Sequence, residues 1–404
     1  MSARRSPGEG GAYAYQTKAG ERWRAQGPVR MPDGTTKQVC LRGHLTKKAA
    51  LEALRTAQVS GGKGEYVEPS KQTLGSYGAE VIDGLRLKRQ TRASYRKNWR
   101  LHIAAYPIAS VPLAQLTGAK LTAHYRVLEK SGRKDYRAGE GLSARTVRYI
   151  HTIIHGVLGD AVRDGLLLRN PADAATPPTA REAKAPEMHP WTGAQLATFL
   201  DWAAEHSQHY ALWYVLAYTG MRRGEALSLR WRDVDFERAT VAVRRSAGMV
   251  REFGQGAEMV EDDTKSSKPR VVDLDADTVS AGKAWKRQRG EMHLSLARAD
   301  SLVFGTTEGE HRNGEHVWRE FKRDVARCRK ALGADAVPMI RVHDLRHTHA
   351  TLLLLAGVPV HVVSQRLGHA SPVVTMTVYA HVLPGNQRDA AETFARLMRE
   401  ASGQ

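Results

Sequence analysis

Alternating apolar and polar positions divide the first 60 residues into short extended segments. Apolar side chains such as Trp23 stand in runs that are separated by Gly20, Gly27 and the tripeptide Pro32-Asp33-Gly34. Glycine and proline at such intervals are turn signals between strands. Thr46 then precedes a helical pattern and supplies the side-chain oxygen that an N-cap requires. This block predicts a small three-stranded sheet followed by one helix.

Between residues 72 and 172 the apolar positions recur with helical spacing. One helical pattern follows Thr73, and a second begins near Thr91. A third pattern is expected to end at Asn170-Pro171, because the residue before a proline disfavours the helical conformation. These patterns predict an all-α block. The apolar face of its last helix consists of Val147, Ile150, Ile154, Leu158 and Val162.

A proline-rich stretch separates this helical block from the rest of the chain. Residues 175–190 contain Pro177-Pro178, Pro186 and Pro190 among small and charged residues, which indicates an interdomain linker. We therefore expect an α+β multidomain protein. The predicted domains are a three-stranded β-sheet plus helix module at 1–62, an all-α domain at 70–174, and a mainly α domain with a small β-sheet at 191–404.

The charge of the chain indicates a polyanionic partner. Among its 404 residues are 61 Lys and Arg against 42 Asp and Glu, so the net charge is +19 and the pI about 10.0. This excess favours nucleic acid first and a membrane surface second. Eight basic residues in the second block form a candidate face for following a phosphate backbone. They are Lys71, Arg86, Lys88, Arg89, Arg92, Arg96, Lys97 and Arg100.

Other features argue against membrane and secreted classes. The longest apolar run, Leu352-Leu353-Leu354-Leu355, is far shorter than the roughly 18 residues of a membrane-spanning helix. The charged, glycine-rich N-terminus is not followed by the apolar core of a signal peptide. Two distant cysteines, Cys40 and Cys328, fit a reduced chain without a disulfide framework or zinc cluster. We expect a cytoplasmic, nucleoid-associated protein with no membrane partner.

Four polar segments of the third block carry the candidate chemistry. Each alone is weak evidence, because a Gly-x-Arg turn, a polar hairpin tip, a His-x-x-Arg box and a single tyrosine commonly have structural roles. Their joint occurrence and their order along the chain are specific. The segments are Thr219–Glu225, Thr264–Val272, His343–His349, and Leu367-Gly368-His369 followed by Tyr379, ten positions after His369.

In this order the segments resemble those of the tyrosine recombinase, or phage integrase, family. That family is marked by T-G-x-R-x-x-E, a lysine on a β-hairpin, a His-x-x-Arg box, Leu-Gly-His and a nucleophilic tyrosine. The resemblance covers the third block, and the first two blocks look more loosely like its arm-site-binding module and helical core-binding domain. It implies an integrase that cleaves and rejoins duplex DNA through a 3′-phosphotyrosine, to integrate or excise a phage, plasmid or other mobile element.

The resemblance implies that three residues contact the scissile phosphate. Arg222 and Arg346 would each donate paired hydrogen bonds, which a lysine cannot match. His369 would donate a hydrogen bond to a non-bridging phosphate oxygen. The sequence has no acidic cluster suited to Mg²⁺. We expect the arginines to do the electrostatic work of a metal, so that activity needs neither metal nor cofactor.

The remaining expected roles concern bond breaking. Tyr379 would be the nucleophile, because a phenol loses its proton more readily beside cations. His343 would help to deprotonate or orient Tyr379. The leaving 5′-hydroxyl needs a proton, and Lys265 is the family-matched general acid. Lys268 remains an alternative to Lys265.

The expected partners are double-stranded DNA with attachment sites, a homotetramer on synapsed DNA, and an excision factor or host DNA-bending protein. A C-terminal helix with Ala390, Phe394, Leu397 and Met398 either packs on its own domain or docks into a neighbouring protomer. Two other functions stay open. One is type IB topoisomerase-like relaxation of DNA, which uses the same phosphotyrosine without synapsis. The other is DNA binding by a protein whose catalytic site has decayed.

Overall fold

The computed structural model describes residues 10–31, 34–68, 71–135, 137–184, 188–254, 256–263, 269–380 and 387–402, with side chains from 391 onward in the last range. Small sheets and many helices are present, which confirms the predicted α+β class. The chain forms two compact units, Met1–Ala185 and Pro186–Gln404. Among the described residues, no helix combines the length and apolar content needed to cross a lipid bilayer.

The first unit begins with the predicted sheet and helix. Its elements are β1 (Gly11–Thr17), β2 (Gly20–Arg30), β3 (Thr36–His44) and α1 (Lys47–Gly62). The strands pair antiparallel in chain order, and Gly20 adopts a positive φ of 102° at the β1–β2 turn. Thr46 caps α1 by accepting a hydrogen bond from the Ala49 amide, and Leu54 of α1 is buried in the core it shares with the sheet. The predicted turn residues Pro32-Asp33 lie outside the described residues.

Four α-helices follow among the described residues of the first unit. They are α2 (Leu74–Gly84), α3 (Arg89–Trp99), α4 (Gly118–Ser131) and α5 (Ala144–Arg163). Thr73 caps α2 and forms a reciprocal capping box with Ser76. The predicted end of the last helix at Asn170-Pro171 is wrong. The helix ends earlier, because Gly165 has a positive φ of 71° and the Leu166 amide turns back to the carbonyl of Ala161.

The second unit contains nine α-helices and five strands among its described residues. In chain order the unit begins with α6 (Gly193–His206), α7 (Tyr210–Thr219), α8 (Arg223–Leu227), β4 (Val234–Asp235), β5 (Thr240–Val243), β6 (Arg245–Glu252), β7 (Gly256–Asp263) and β8 (Arg270–Asp273). The later elements are α9 (Ala276–Met292), α10 (Gly314–Leu332), α11 (Val342–Leu355), α12 (Val360–Leu367), α13 (Pro372–Tyr379) and α14 (Gln387–Ala401).

Two small antiparallel sheets lie within the part of this helical unit that the structure describes. Strands β4, β5 and β8 form one sheet, and β6 and β7 form a separate hairpin between β5 and β8 in sequence. Buried Glu225 and Ala226 place α8 next to β6, where a side chain on Gly224 would meet the carbonyl oxygen of Ala247 at 2.6 Å. The segment that contains Lys265 and Lys268 lies outside the described residues.

An aromatic core fixes the helices that carry the candidate site. Trp191, Phe199, Trp213 and Phe321 pack with ring centroids 5.0–6.2 Å apart. The backbone amide of Trp191 donates to the hydroxyl of Thr348, at 3.1 Å, and thereby ties the start of the unit to α11. Burial of such large rings supplies much of the stability of a core. The position of α11 therefore depends on contacts distributed through the whole unit.

Candidate active site

The site is built around Arg346 in the first half of α11. Its guanidinium donates from Nη1 to the carbonyl oxygen of Gly220 and from Nη2 to that of Leu367, both at 2.7 Å. These carbonyls lie at the C-terminal ends of α7 and α12, where the partial negative charge of a helix favours a cation. Burial and then the charge of Arg222 lower the pKa of Arg346 to about 9, and Glu225 opposes this shift. The side chain remains a cation at neutral pH.

A buried carboxylate joins two further arginines. Glu225 accepts from Nη1 of Arg222 at 2.8 Å and from Nη2 of Arg270 at 2.7 Å. Burial alone would raise the pKa of Glu225, but hydrogen bonds and charges from Arg270 and Arg222 outweigh it and lower the pKa. Through these contacts Glu225 orients the side chains of Arg222 and Arg270. Arg222 also points Nη2 toward the carbonyl oxygen of Gly368, at 3.4 Å.

His369 lies just beyond the helix end that binds Arg346. Gly368 adopts a positive φ of 67° and ends α12, so the chain reverses direction before His369. Nδ1 of His369 is 2.8 Å from the hydroxyl of Thr375 on α13. Partial burial, followed by the charges of Arg346 and Arg222, lowers the pKa of His369 to about 4. The ring is therefore neutral at pH 7 and still has an N–H with which to bind an anion.

Tyr379 is the last residue of α13 and is almost fully buried, with 1% of its surface exposed. Its hydroxyl lies 2.7 Å from Nδ1 of His347. Burial raises the pKa of Tyr379 to about 12, although the charge of Arg346 acts in the opposite direction. The phenol is consequently protonated at neutral pH.

The two histidines of α11 differ from the expected arrangement. His343 was expected to deprotonate or orient Tyr379, but the phenol forms its hydrogen bond with His347. His343 is exposed, and its ring stands edge-to-face with that of His347 at a centroid distance of 5.0 Å. The two residues are four positions apart on one helix, so their side chains share a face and only the second reaches α13. The sequence feature that could have identified His347 as a site residue is its position directly after Arg346.

Arg366 is a second residue that sequence reasoning missed. Its guanidinium donates to Nε2 of His349 and to the carbonyl oxygens of Asp273 and Tyr218, each at 3.0 Å. Its own carbonyl accepts from Nε of Arg270 at 2.9 Å. Arg366 thus joins α7, β8, α11 and α12 behind the site. No periodicity in the sequence distinguishes it from a surface arginine.

Five of the six sequence-predicted site residues come together in this unit. The charges of Arg222 and Arg346 act on each other and on the rings of His343 and His369, and Arg346 also acts on Tyr379. The sixth residue, Lys265, lies outside the described residues, as does its alternative Lys268. Within the described residues, no three His, Cys, Asp or Glu side chains are grouped so as to hold a metal ion.

This arrangement combines three chemical capacities. The guanidiniums of Arg222 and Arg346 suit the oxygens of a phosphate, because each presents a planar set of donors. The neutral imidazole of His369 adds one hydrogen-bond donor without adding charge. The phenol of Tyr379 supplies an oxygen nucleophile beside a nitrogen that can accept its proton.

Comparison with known proteins finds a matching family model and similar proteins. The model of the phage integrase family matches residues 192–385. A XerC-like tyrosine recombinase of Caldanaerobacter subterraneus is 25% identical over 329 residues, which are 78% of this chain and 80% of that protein. The integrase of Mycobacterium phage D29 is 27% identical over 340 residues, which cover 82% of this chain and 79% of that protein.

Solved structures share the fold. The Tn1549 transposon integrase in complex with transposon right end DNA is 21% identical and has a TM-score of 0.66, over 80% of this chain and 99% of that chain. A lambda integrase dimer bound to a core site is 16% identical and has a TM-score of 0.51, over 93% of this chain and 96% of that chain.

Proposed function

We propose that this chain, which belongs to the phage integrase family of tyrosine recombinases, is a site-specific recombinase that integrates or excises a mobile element. It cleaves and rejoins duplex DNA through a 3′-phosphotyrosine at Tyr379. The observation that carries the proposal is the cluster of Arg222, Arg346 and His369, in which the charge of Arg346 also acts on the phenol of Tyr379. Phage and transposon integrases among its relatives support DNA integration as the outcome.

Arg222 and Arg346 would bind the non-bridging oxygens of the scissile phosphate. A guanidinium has five N–H donors, so the bonds to Glu225 and to backbone carbonyls leave donors for a substrate. Two positive charges also stabilise the extra negative charge that develops as a fifth oxygen approaches phosphorus. His369 would donate a hydrogen bond to one of the same oxygens. The side chain of His343 is exposed to solvent and could therefore contact bound DNA.

The covalent step exchanges one phosphodiester for another. The oxygen of Tyr379 forms a bond to phosphorus, the bond from phosphorus to the 5′-oxygen breaks, and Lys265 or Lys268 donates a proton to that oxygen. Rejoining is the reverse attack by a 5′-hydroxyl. Because the phosphotyrosine retains the bond energy, neither ATP nor a cofactor is required. The arginines take the charge-neutralising role that a metal has in other strand-transfer enzymes.

The partner of the reaction is duplex DNA that carries attachment sites, and the net charge of +19 supports binding to a polyanion. We assign arm-type DNA binding to 1–62, core-site binding to 70–174, a linker to 175–190 and catalysis to 191–404. Recombination exchanges strands between two duplexes, so the working assembly is a homotetramer on synapsed DNA. An excision factor or host DNA-bending protein would set its direction.

The test is covalent trapping of the DNA. Purified protein is mixed with nicked attachment-site DNA in EDTA, and an SDS-stable adduct is measured for the unchanged chain, Tyr379→Phe and Tyr210→Phe. We expect an adduct with the unchanged chain and none with Tyr379→Phe. Tyr210→Phe, which removes a tyrosine hydroxyl on α7 outside the site, is the control and should also give an adduct. Tight binding without any adduct would instead indicate a DNA-binding protein with a decayed site. An adduct that survives in Tyr379→Phe would mean another nucleophile.

A further inference from the structure

His347 forms a hydrogen bond with the nucleophile, yet the proposed reaction gives it no role. Its Nδ1 lies 2.7 Å from the phenolic oxygen of Tyr379, and the ring centroids are 5.7 Å apart. We propose that His347 is the general base that accepts the phenolic proton of Tyr379 as its oxygen attacks phosphorus. This inference rests on the proposed function, because it needs Tyr379 to be the nucleophile.

The direction of the hydrogen bond agrees with this role. Partial burial lowers the pKa of His347 from its ordinary value, so the ring is neutral at pH 7. With the ring proton on Nε2, Nδ1 carries a lone pair and the phenol of Tyr379 must be the donor. In that tautomer the proton that has to leave the nucleophile already points at its acceptor. This geometry meets the distance requirement for a general base.

The same pair keeps the nucleophile inactive when DNA is absent. The pKa of Tyr379 is raised to about 12 by burial, whereas that of His347 lies below its ordinary value, so the proton stays on oxygen. A phosphate that gains negative charge during attack favours the imidazolium and makes the proton transfer concerted with bond formation.

The charged and titratable groups that face His347 are His343, Asp344, Arg341 and Arg346 on or beside α11, His369, and Tyr379 on α13.

The atoms balance over the step. The O–H bond of Tyr379 breaks, an N–H bond forms at Nδ1 of His347, the O–P bond forms, and the bond to the 5′-oxygen breaks. The separate acid, Lys265 or Lys268, protonates that oxygen. In the rejoining step His347 returns its proton to the phenolic oxygen. The ring of His343 packs edge-to-face against that of His347, at a centroid distance of 5.0 Å.

Two substitutions separate proton acceptance from positioning. In His347→Asn the amide oxygen lies near the place of Nδ1 and accepts the hydrogen bond, but it cannot take the proton; His347→Ala removes both capacities. We expect each to slow adduct formation by about 10²–10⁴-fold with unchanged DNA affinity. His361→Ala, at an exposed position of α12, is the matched control and keeps the normal rate. A normal rate in His347→Asn overturns the assignment and leaves only a positioning role.

A DNA substrate with sulfur at the 5′-bridging position distinguishes the role of His347 from that of the general acid. When sulfur replaces the 5′-bridging oxygen, the leaving thiolate needs no proton. Lys265→Ala should recover cleavage on this DNA, or Lys268→Ala if that lysine is the acid, whereas both His347 variants should stay slow. Recovery of the His347 variants would place His347 on the leaving-group side and refute the proposal. Loss of the adduct in Tyr379→Phe, measured in parallel, shows whether the proposed function itself holds.

The pH profile gives an independent readout if His347→Ala does not fold. In the unchanged chain the rate rises as His347 loses its proton and then levels off. In His347→Asn the phenolate must form by losing its proton to solvent, so the rate should keep rising about tenfold per pH unit through pH 9. Equal profiles in the two proteins would contradict a base at this position.

Discussion

Glu225 is the residue whose charge holds the arginines of the site in place. It is buried and accepts hydrogen bonds from both Arg222 and Arg270. We expect Glu225→Gln to lower the free energy of unfolding by about 3 kcal/mol, because two cations lose their buried counter-charge. The cleavage rate should fall as well, since Arg222 loses its orientation. Denaturant unfolding and adduct formation measure the two effects, and Glu237→Gln at an exposed position is the control.

The pH dependence of the Glu225 contribution has a defined sign. Its pKa in the folded chain is below the ordinary value of 4.5, so the contribution is fully present above that ordinary pKa. It is lost as the pH falls through the lower, folded pKa. Glu225→Gln should therefore lose less stability on acidification than the unchanged chain does. Parallel acid unfolding curves for the two proteins would mean that Glu225 does not titrate with folding.

At the residue scale, the sequence indicated residue types and order but not contacts. Arg222, Arg346, His369 and Tyr379 were found because their segments are short and ordered, and their roles stay predictions. The contact between His347 and Tyr379 joins residues 32 positions apart on different helices. Such a contact depends on how α11 packs against α13, and no local pattern carries that information.

Two helix ends, rather than side chains, fix Arg346 at the scale of elements. The C-terminal carbonyls of α7 and α12 point at one guanidinium, and each helix ends in a glycine with positive φ, Gly220 and Gly368. Left-handed backbone at these positions lets the chain turn while its last carbonyls stay directed at the arginine. The arginine site is thus made from backbone as much as from side chains.

Substitution of Gly368 tests how tightly this helix end is packed. A Cβ there would lie 2.8 Å from Nη1 and 2.9 Å from Cδ of Arg270, whereas nothing lies within 4 Å of one on Gly357. Both glycines have positive φ, so Gly357→Ala reports the backbone strain alone. We expect Gly368→Ala to lose about 2 kcal/mol more stability than Gly357→Ala and to slow cleavage. Equal losses in denaturant unfolding would show that Arg270 moves aside at no cost.

Helix starts were predicted from the sequence better than helix ends were. Thr46 and Thr73 cap α1 and α2 as expected, because an N-cap uses a side chain that the sequence displays. The end of α5 was placed too late, because Asn170-Pro171 was given more weight than Gly165, which makes the actual turn. The hairpin of β6 and β7 was expected only in general terms, since strand pairing depends on partners elsewhere in the unit.

At the scale of the whole molecule, charge predicts the partner class but not the assembly. A net charge of +19 favours DNA, and nothing in that number sets how many chains act together. The apolar face of α14 is a candidate for a contact between protomers. Phe394, Leu397 and Met398 share that face and are 65%, 54% and 53% exposed in the single chain. Three large apolar side chains on one face favour a contact, either with the rest of this domain or with a neighbouring protomer.

If α14 docks on a neighbouring protomer, polar substitutions on that face should separate binding from assembly. We expect Phe394→Ser/Leu397→Ser to bind one attachment site normally but to reduce the synaptic complex and recombination at least tenfold, since apolar burial drives such docking. Analytical ultracentrifugation of DNA-bound protein measures the assembly. Glu392→Ser/Arg396→Ser, on the opposite face, is the control. If the apolar variant instead lowers thermal stability and assembles normally, α14 packs on its own domain.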